Sequence, residues 1–75
     1  MSIEERVLQV LRKIFPEVDQ DSNIDNIEGW DSVNHLRGLL GLEEEFDLMF
    51  APEEMEKMTS VKEMVSVISD KISDS

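Results

Sequence analysis

Gly29–Trp30–Asp31–Ser32–Val33–Asn34–His35–Leu36–Arg37–Gly38–Leu39–Leu40–Gly41–Leu42–Glu43–Glu44–Glu45–Phe46 is a polar turn that runs into a long amphipathic segment. Asp31 is a good N-cap, because its carboxylate can accept from backbone N–H groups that a helix start leaves free. The spacing predicts a helix from Asp31–Ser32 to about Phe46. At 100° per residue its apolar residues cover about half the wheel, more than a minimal core-facing stripe. That breadth assigns Leu39, Leu42 and Phe46 to a core and Val33, Leu36 and Leu40 to an outward face, the alternative being that all six are buried. His35 falls between Leu42 and Phe46, where a polar ring needs a partner or an opening to solvent. Gly38 lies beside the same arc, in a helix interior where glycine costs roughly 1 kcal/mol relative to alanine. Close helix packing, deliberately empty space and plain tolerance are all open at that position.

Outward from this segment the chain stays helical. Ile3, Val7, Val10, Leu11 and Ile14 recur at three- and four-residue spacing, with Leu8 and Phe15 widening the stripe, which predicts a helix from about Ile3 to Phe15. Ser2 and Glu5 have capping-box spacing, and Pro16 ends the segment. Pro52 suits the first position of a short helix to Met58. Thr59 or Ser60 then caps a last helix from Val61 to about Ile72, with Val61, Met64, Val65, Ile68 and Ile72 as its stripe. Between the first two helices, Pro16 to Trp30 is a long polar loop, pinned to the core by Val18, Ile24 and Ile27. A loop of that length in a compact domain is usually either functional or a misassigned element, and a functional loop is the expectation here. No strand pattern or repeat occurs. The fold class is all-α: three main helices plus one short helix in a single domain of residues 1–75.

Bulk composition narrows the function. The 75 residues hold no Cys, 40% apolar residues, and 7 basic against 18 acidic side chains, a net charge of −11. A single small core is expected, with little room for a deep catalytic cleft. Without Cys there is no disulfide, zinc–thiolate site or protein thiol. The acidity disfavours nucleic-acid and anionic-lipid partners and favours basic protein patches, although it also serves plain solubility. Glu4, Glu5 and Arg6 follow the opening Met1–Ser2–Ile3, which is no signal-peptide pattern, and no apolar run reaches membrane-spanning length. A soluble, cytoplasmic, monomeric protein is expected.

Two chemical readings are weak. Asp19–Gln20–Asp21–Ser22–Asn23 opens like a calcium-binding EF-hand loop. It then has Ile24 where glycine must turn the chain and Trp30 where a bidentate Glu is needed. Ser32 and His35, three residues apart, could pair as nucleophile and base, but no orienting acid or oxyanion hole accompanies them. No metal site and no enzymatic activity are expected. Ser32 is better placed as a modification site: a hydroxyl in a helix's first turn lies near free N–H groups and the positive end of the helix dipole. Serine at a helix start is, however, most often only a cap.

The order of blocks is more specific. Gly29–Trp30–Asp31–Ser32–Val33 resembles the Asp-Ser-Leu attachment motif of acyl and peptidyl carrier proteins. Leu42–Glu43–Glu44–Glu45–Phe46–Asp47, Pro52–Glu53–Glu54 and Thr59–Ser60–Val61 follow with family-like spacing over essentially the whole chain. The resemblance implies the carrier-type four-helix bundle, with Ser32 bearing 4′-phosphopantetheine from coenzyme A and Asp31 completing the motif. It implies acyl cargo held as a thioester for fatty-acid, polyketide or related specialised biosynthesis, or alternatively aminoacyl or peptidyl cargo. It implies as partners a phosphopantetheinyl transferase, an acyl ligase or transacylase, and synthase enzymes with basic docking patches. Val33, Leu36, Arg37, Leu40, Glu43 and Glu44 would form the docking surface, and His35, Gly38, Leu39, Leu42 and Phe46 the cargo pocket. Asn34 and Arg37 stand where fatty-acid carriers usually have acidic residues, and Gly38 and Gly41 where they have a bulky apolar and a small non-glycine residue. Trp before Asp-Ser is more familiar from carriers of dedicated pathways, so a dedicated stand-alone carrier is the expectation. Set against it is a small acidic helical adaptor, or calcium-responsive module, without a prosthetic group.

Overall fold

The computed structural model describes residues 2–73; Met1, Asp74 and Ser75, which belong to the expected domain, lie outside the described residues. Four helices follow one another: α1 (Ile3–Arg12), α2 (Ser32–Phe46), α3 (Pro52–Lys57) and α4 (Val61–Ser73). No strand occurs among the described residues. α1 packs against both α2 and α4, and α3 packs against α4. None of these helices is long and apolar enough to cross a membrane.

Each helix start is built as its sequence dictates. Ser2 Oγ accepts from Glu5 N at 3.1 Å, Asp31 Oδ1 from Asn34 N at 2.9 Å, and Ser60 Oγ from Glu63 N at 3.2 Å. At α3, where Ala51 has no capping oxygen, the Glu54 carboxylate takes the Ala51 N–H at 2.7 Å. Lys71 of α4 reaches the same carboxylate at 2.9 Å, tying α3 to α4.

α1 stops at Arg12, before the expected Phe15. The N–H groups of Ile14 and Phe15 both donate to Leu11 O, at 3.0 and 2.7 Å, and close the helix in a tight turn. Pro16 disfavours helical backbone at Phe15, and the turn places the Phe15 ring in the core. At the other end of the α2 hairpin, Asp47 takes a left-handed conformation (φ 53°), and its N–H bonds Glu43 O. Short polar side chains tolerate that backbone better than most.

The core is one cluster in which Val7, Leu11, Leu39, Leu42, Val61, Met64 and Ile68 are essentially inaccessible. Met58, just after α3, joins them. The long loop is pinned by Val18 and Trp30, with Ile27 only partly buried. Ile24, expected in that role, is 39% exposed, because its backbone rather than its side chain makes the anchor. Ile24 N donates to Thr59 O at 3.1 Å, and Val61 N donates to Ser22 O at 3.0 Å. This pair of bonds holds the loop beside the α3–α4 junction.

Gly38 and Gly41 face α1. A Cβ on Gly38 would lie 3.0 Å from Leu11 Cδ2, and one on Gly41 would lie 2.9 Å from Val10 Cγ1. The missing side chains therefore allow close approach of two helices and do not leave open space. Gly38→Leu should destabilise the protein by about 1–3 kcal/mol, since overpacking outweighs the helix-propensity gain. Thermal melts would check this, and a raised midpoint would contradict the packing role.

On the far side of the same interface, Arg6 Nε meets Glu45 Oε2 at 3.1 Å, and its guanidinium lies 4.2 Å from the Phe46 ring centre. The pair is about one-third exposed on each side. It aligns α1 with the end of α2 and adds little stability.

Candidate functional site

The chain reaches α2 through a turn that only glycine makes without strain: Gly29 has φ +85°. Asp31 N and Asn34 Nδ2 both donate to the Gly29 carbonyl, at 3.0 and 2.9 Å. With Asp31 capping Asn34 N, residues 29–34 form a closed set of bonds around Ser32. Ser32 is the first residue of α2 and is exposed. The Asp31 side chain does the capping, so the Ser32 hydroxyl is free of that task. The helix start leaves its first N–H groups pointing outward with the positive end of the dipole beside the hydroxyl.

Trp30 secures this turn from beneath. Its ring is buried and stacked on Phe15, with centroids 4.6 Å apart and planes at 20°. Its indole Nε1–H donates to His35 Nδ1 at 2.8 Å. The polar ring inside the apolar arc thus has its partner. An indole N–H can only donate, so Nδ1 must be bare and the neutral imidazole carries its proton on Nε2. Burial depresses the His35 pKa below its ordinary value near 6.5. A depressed His pKa stabilises the fold above the unfolded value, and that stability is lost as pH falls through the folded value. The melting temperature should therefore drop as pH is lowered from 7 towards 5, and His35→Asn should remove that slope. The depressed Glu54 carboxyl, held by the Ala51 N–H and Lys71, adds stability above its ordinary value of 4.5 and loses it only as pH falls below that value, a separate window.

Beside Ser32 opens an apolar cleft of about 680 Å³. It is lined by Trp30, His35, Leu36 and Leu39 together with Ile24, Met55 and Thr59. Of the residues expected in a cargo pocket, His35 and Leu39 line this cleft. Gly38, Leu42 and Phe46 do not. Gly38 is turned to Leu11, Leu42 is fully buried in the core, and Phe46 lies under Arg6. Ile24, Met55 and Thr59 are lining residues that sequence reasoning missed. A six-residue helix is too short for periodicity to say which way Met55 faces, and the Ile24–Thr59 bond is a long-range contact with no local signal.

The expected docking residues divide. Val33, Leu36 and Leu40 are 62, 50 and 51% exposed and form an apolar strip along α2. Arg37 and Glu44 flank a second, more polar cleft of about 500 Å³ against Lys13 and Ile14. Glu43 departs from its expected role. Its carboxylate accepts from Phe50 N at 2.8 Å and holds the loop after α2, so it is not a free surface charge.

The nucleophile–base pair is not assembled, since His35 Nδ1 is taken by Trp30. In the acidic loop, Asp19 Oδ1 accepts from Asp21 N at 2.9 Å and Asn23 Oδ1 from Asp25 N at 2.7 Å. These side chains serve the loop's own backbone, and no cluster of three or more metal-ligating side chains occurs among the described residues.

No family model matches the chain. An acyl carrier protein from Cyanidium caldarium is 31% identical to it over 80 aligned residues, covering 96% of this chain and 93% of that protein.

Proposed function

Because the chain belongs to the acyl carrier protein family, we propose that Ser32 is the attachment point of a 4′-phosphopantetheine arm on which acyl groups are carried. The supporting observation is the exposed, uncommitted Ser32 hydroxyl at the head of α2, next to an apolar cleft. The surroundings fit the group. Outward N–H groups and the helix dipole favour a phosphodiester at Ser32, while Leu39, Met55 and Ile24 offer apolar surface to the rest of the arm. When bound, the arm supplies a terminal thiol that holds acyl cargo as a thioester. His35 and Leu39, with Trp30 and Met55, would shelter that cargo.

Partners would dock on the Val33–Leu36–Leu40 strip, which is apolar and borders the Ser32 cleft through Leu36. The net charge of −11 would steer a transferase, an acyl ligase or transacylase, and synthase enzymes through basic patches on their surfaces. Arg37, a positive charge beside Glu44, would discriminate among such partners. These features suit a monomeric carrier dedicated to one cytoplasmic pathway, with acyl rather than aminoacyl cargo favoured by the cleft's apolar walls.

The test is direct. Incubated with coenzyme A and a promiscuous phosphopantetheinyl transferase, the protein should gain the mass of one phosphopantetheine. An unchanged mass would contradict the proposal.

A further inference from the structure

α1 and α2 run antiparallel, and three contacts fix their register. Arg6 pairs with Glu45 at 3.1 Å, while Gly41 abuts Val10 and Gly38 abuts Leu11. Rising numbers on α1 thus meet falling numbers on α2, which brings Lys13, just past the end of α1, to the level of Arg37. Along this seam lies the cleft of about 500 Å³. Its buried or half-buried lining is Val10, Ile14 and Gly41, and its exposed lining includes Lys13, Arg37 and Glu44.

The cleft is charged unevenly along its length. Two cations, Lys13 and Arg37, stand at one end. Glu44 is seven residues from Arg37, about 10 Å along the helix, so the carboxylates lie at the other end, where Arg6 already engages Glu45. The ion pairs among the described residues are Arg6–Glu45, Lys62–Asp21 and Lys71–Glu54. Lys13 and Arg37 are therefore both without an acidic partner. In a chain of 18 acidic and 7 basic residues, two unpaired cations at one place are a local reversal of charge. The place also adjoins the exposed apolar strip, because Arg37 lies only about 60° from Leu40 around α2. A partner resting on Val33, Leu36 and Leu40 reaches this cleft without leaving the helix.

We infer that the Lys13–Arg37 end of this cleft is a docking subsite for an acidic segment of a partner protein, one whose Asp or Glu is flanked by an apolar residue. Arg37 presents a planar fork that can take a carboxylate in two parallel hydrogen bonds, and Lys13 adds a point charge. Val10 and Ile14 offer contact to the flanking apolar residue, which a free inorganic anion could not use. The inference deepens the docking proposed along α2 and rests on that reading for its place. It gives the partner a mixed face, basic against Glu44 and the acidic bulk of the surface, acidic at this one point. A partner that is basic throughout would set like charge against Lys13 and Arg37 and be disfavoured.

The test titrates the unmodified, isotope-labelled protein with three capped peptides, acetyl-Leu-Glu-Glu-Leu-amide and its Gln-Gln and Lys-Lys counterparts, followed by nuclear magnetic resonance. Salt at about 0.15 M shortens the Debye length to about 8 Å, so the long-range field of the acidic surface does not mask the cleft. The Glu peptide should shift the backbone amide resonances of Lys13, Ile14, Arg37 and Gly41. It should bind about fivefold tighter than the Gln peptide, the scale of exposed charge pairs. Arg37→Glu should abolish that preference. Lys57→Glu makes the same charge change on α3, outside the cleft, and should leave the preference in place. Inorganic phosphate at equal concentration should move the four resonances less than the Glu peptide does. Equal binding of the Glu and Gln peptides, stronger shifts of these four resonances by the Lys peptide, or an effect of Lys57→Glu as large as that of Arg37→Glu would overturn the inference. So would equal shifts with phosphate, which would mark a bare anion site. Ser32 takes no part in these titrations, so their failure leaves the attachment reading standing, and a missing mass gain at Ser32 leaves the titrations readable.

Discussion

Ser32→Ala should abolish phosphopantetheine transfer completely while changing stability by less than about 0.5 kcal/mol, the usual range for a surface substitution away from special features. The asymmetry arises from how the helix start is divided between two residues. Asp31 holds the cap, accepting from Asn34 N, whereas Ser32 is exposed and contributes only its hydroxyl. Asp31→Ala should behave in the opposite sense, costing about 1 kcal/mol through the lost cap. The other serines at helix starts are committed: Ser2 to Glu5, and Ser60 to Glu63. Ser22 is buried against Asp19. Intact-protein mass spectrometry with far-UV circular dichroism checks both halves. A mass gain that survives in Ser32→Ala would place the attachment elsewhere.

The features legible in the sequence are those that local physics encodes. Asp31, Ser2 and Ser60 mark helix starts because a short polar oxygen before an apolar period has few other uses, and the structure has helices at all three. The α2 wheel separates Leu39 and Leu42 from Val33, Leu36 and Leu40 because a fifteen-residue helix turns far enough to define two faces. Features that depend on long-range approach were not legible. Gly38 could mean space or contact, and only the 3.0 Å between its absent Cβ and Leu11 decides for contact. Glu43 reads as a surface acid, and only the returning chain at Phe50 shows it as a cap for a loop. His35 announces its need for a partner. That the partner is Trp30, five residues earlier across a turn, depends on the φ of Gly29.

Trp30→Ala should be the most damaging substitution to the fold. Replacing a buried aromatic by alanine typically costs 3–5 kcal/mol, and a domain of this size has only about 4–11 kcal/mol in all. Here the loss has three parts. The Phe15 ring, which ends up in the core because α1 stops early, loses its stacking partner. The long loop loses an anchor, leaving Val18 and the Ile24–Thr59 and Val61–Ser22 backbone bonds to hold it. His35 Nδ1 loses its donor, which frees the ring to change tautomer and orientation. Trp30→Phe separates these contributions. It keeps a ring against Phe15 but removes the indole N–H and part of the ring's buried volume, so it should cost about 1–2 kcal/mol, one hydrogen bond plus a small cavity. Urea unfolding followed by far-UV circular dichroism gives both numbers without relying on the fluorophore being removed. If Trp30→Phe proves as damaging as Trp30→Ala, the Trp30–His35 hydrogen bond rather than ring packing holds the Ser32 turn in place. If both are mild, the turn is held from above by Asp31, Asn34 and Gly29 alone.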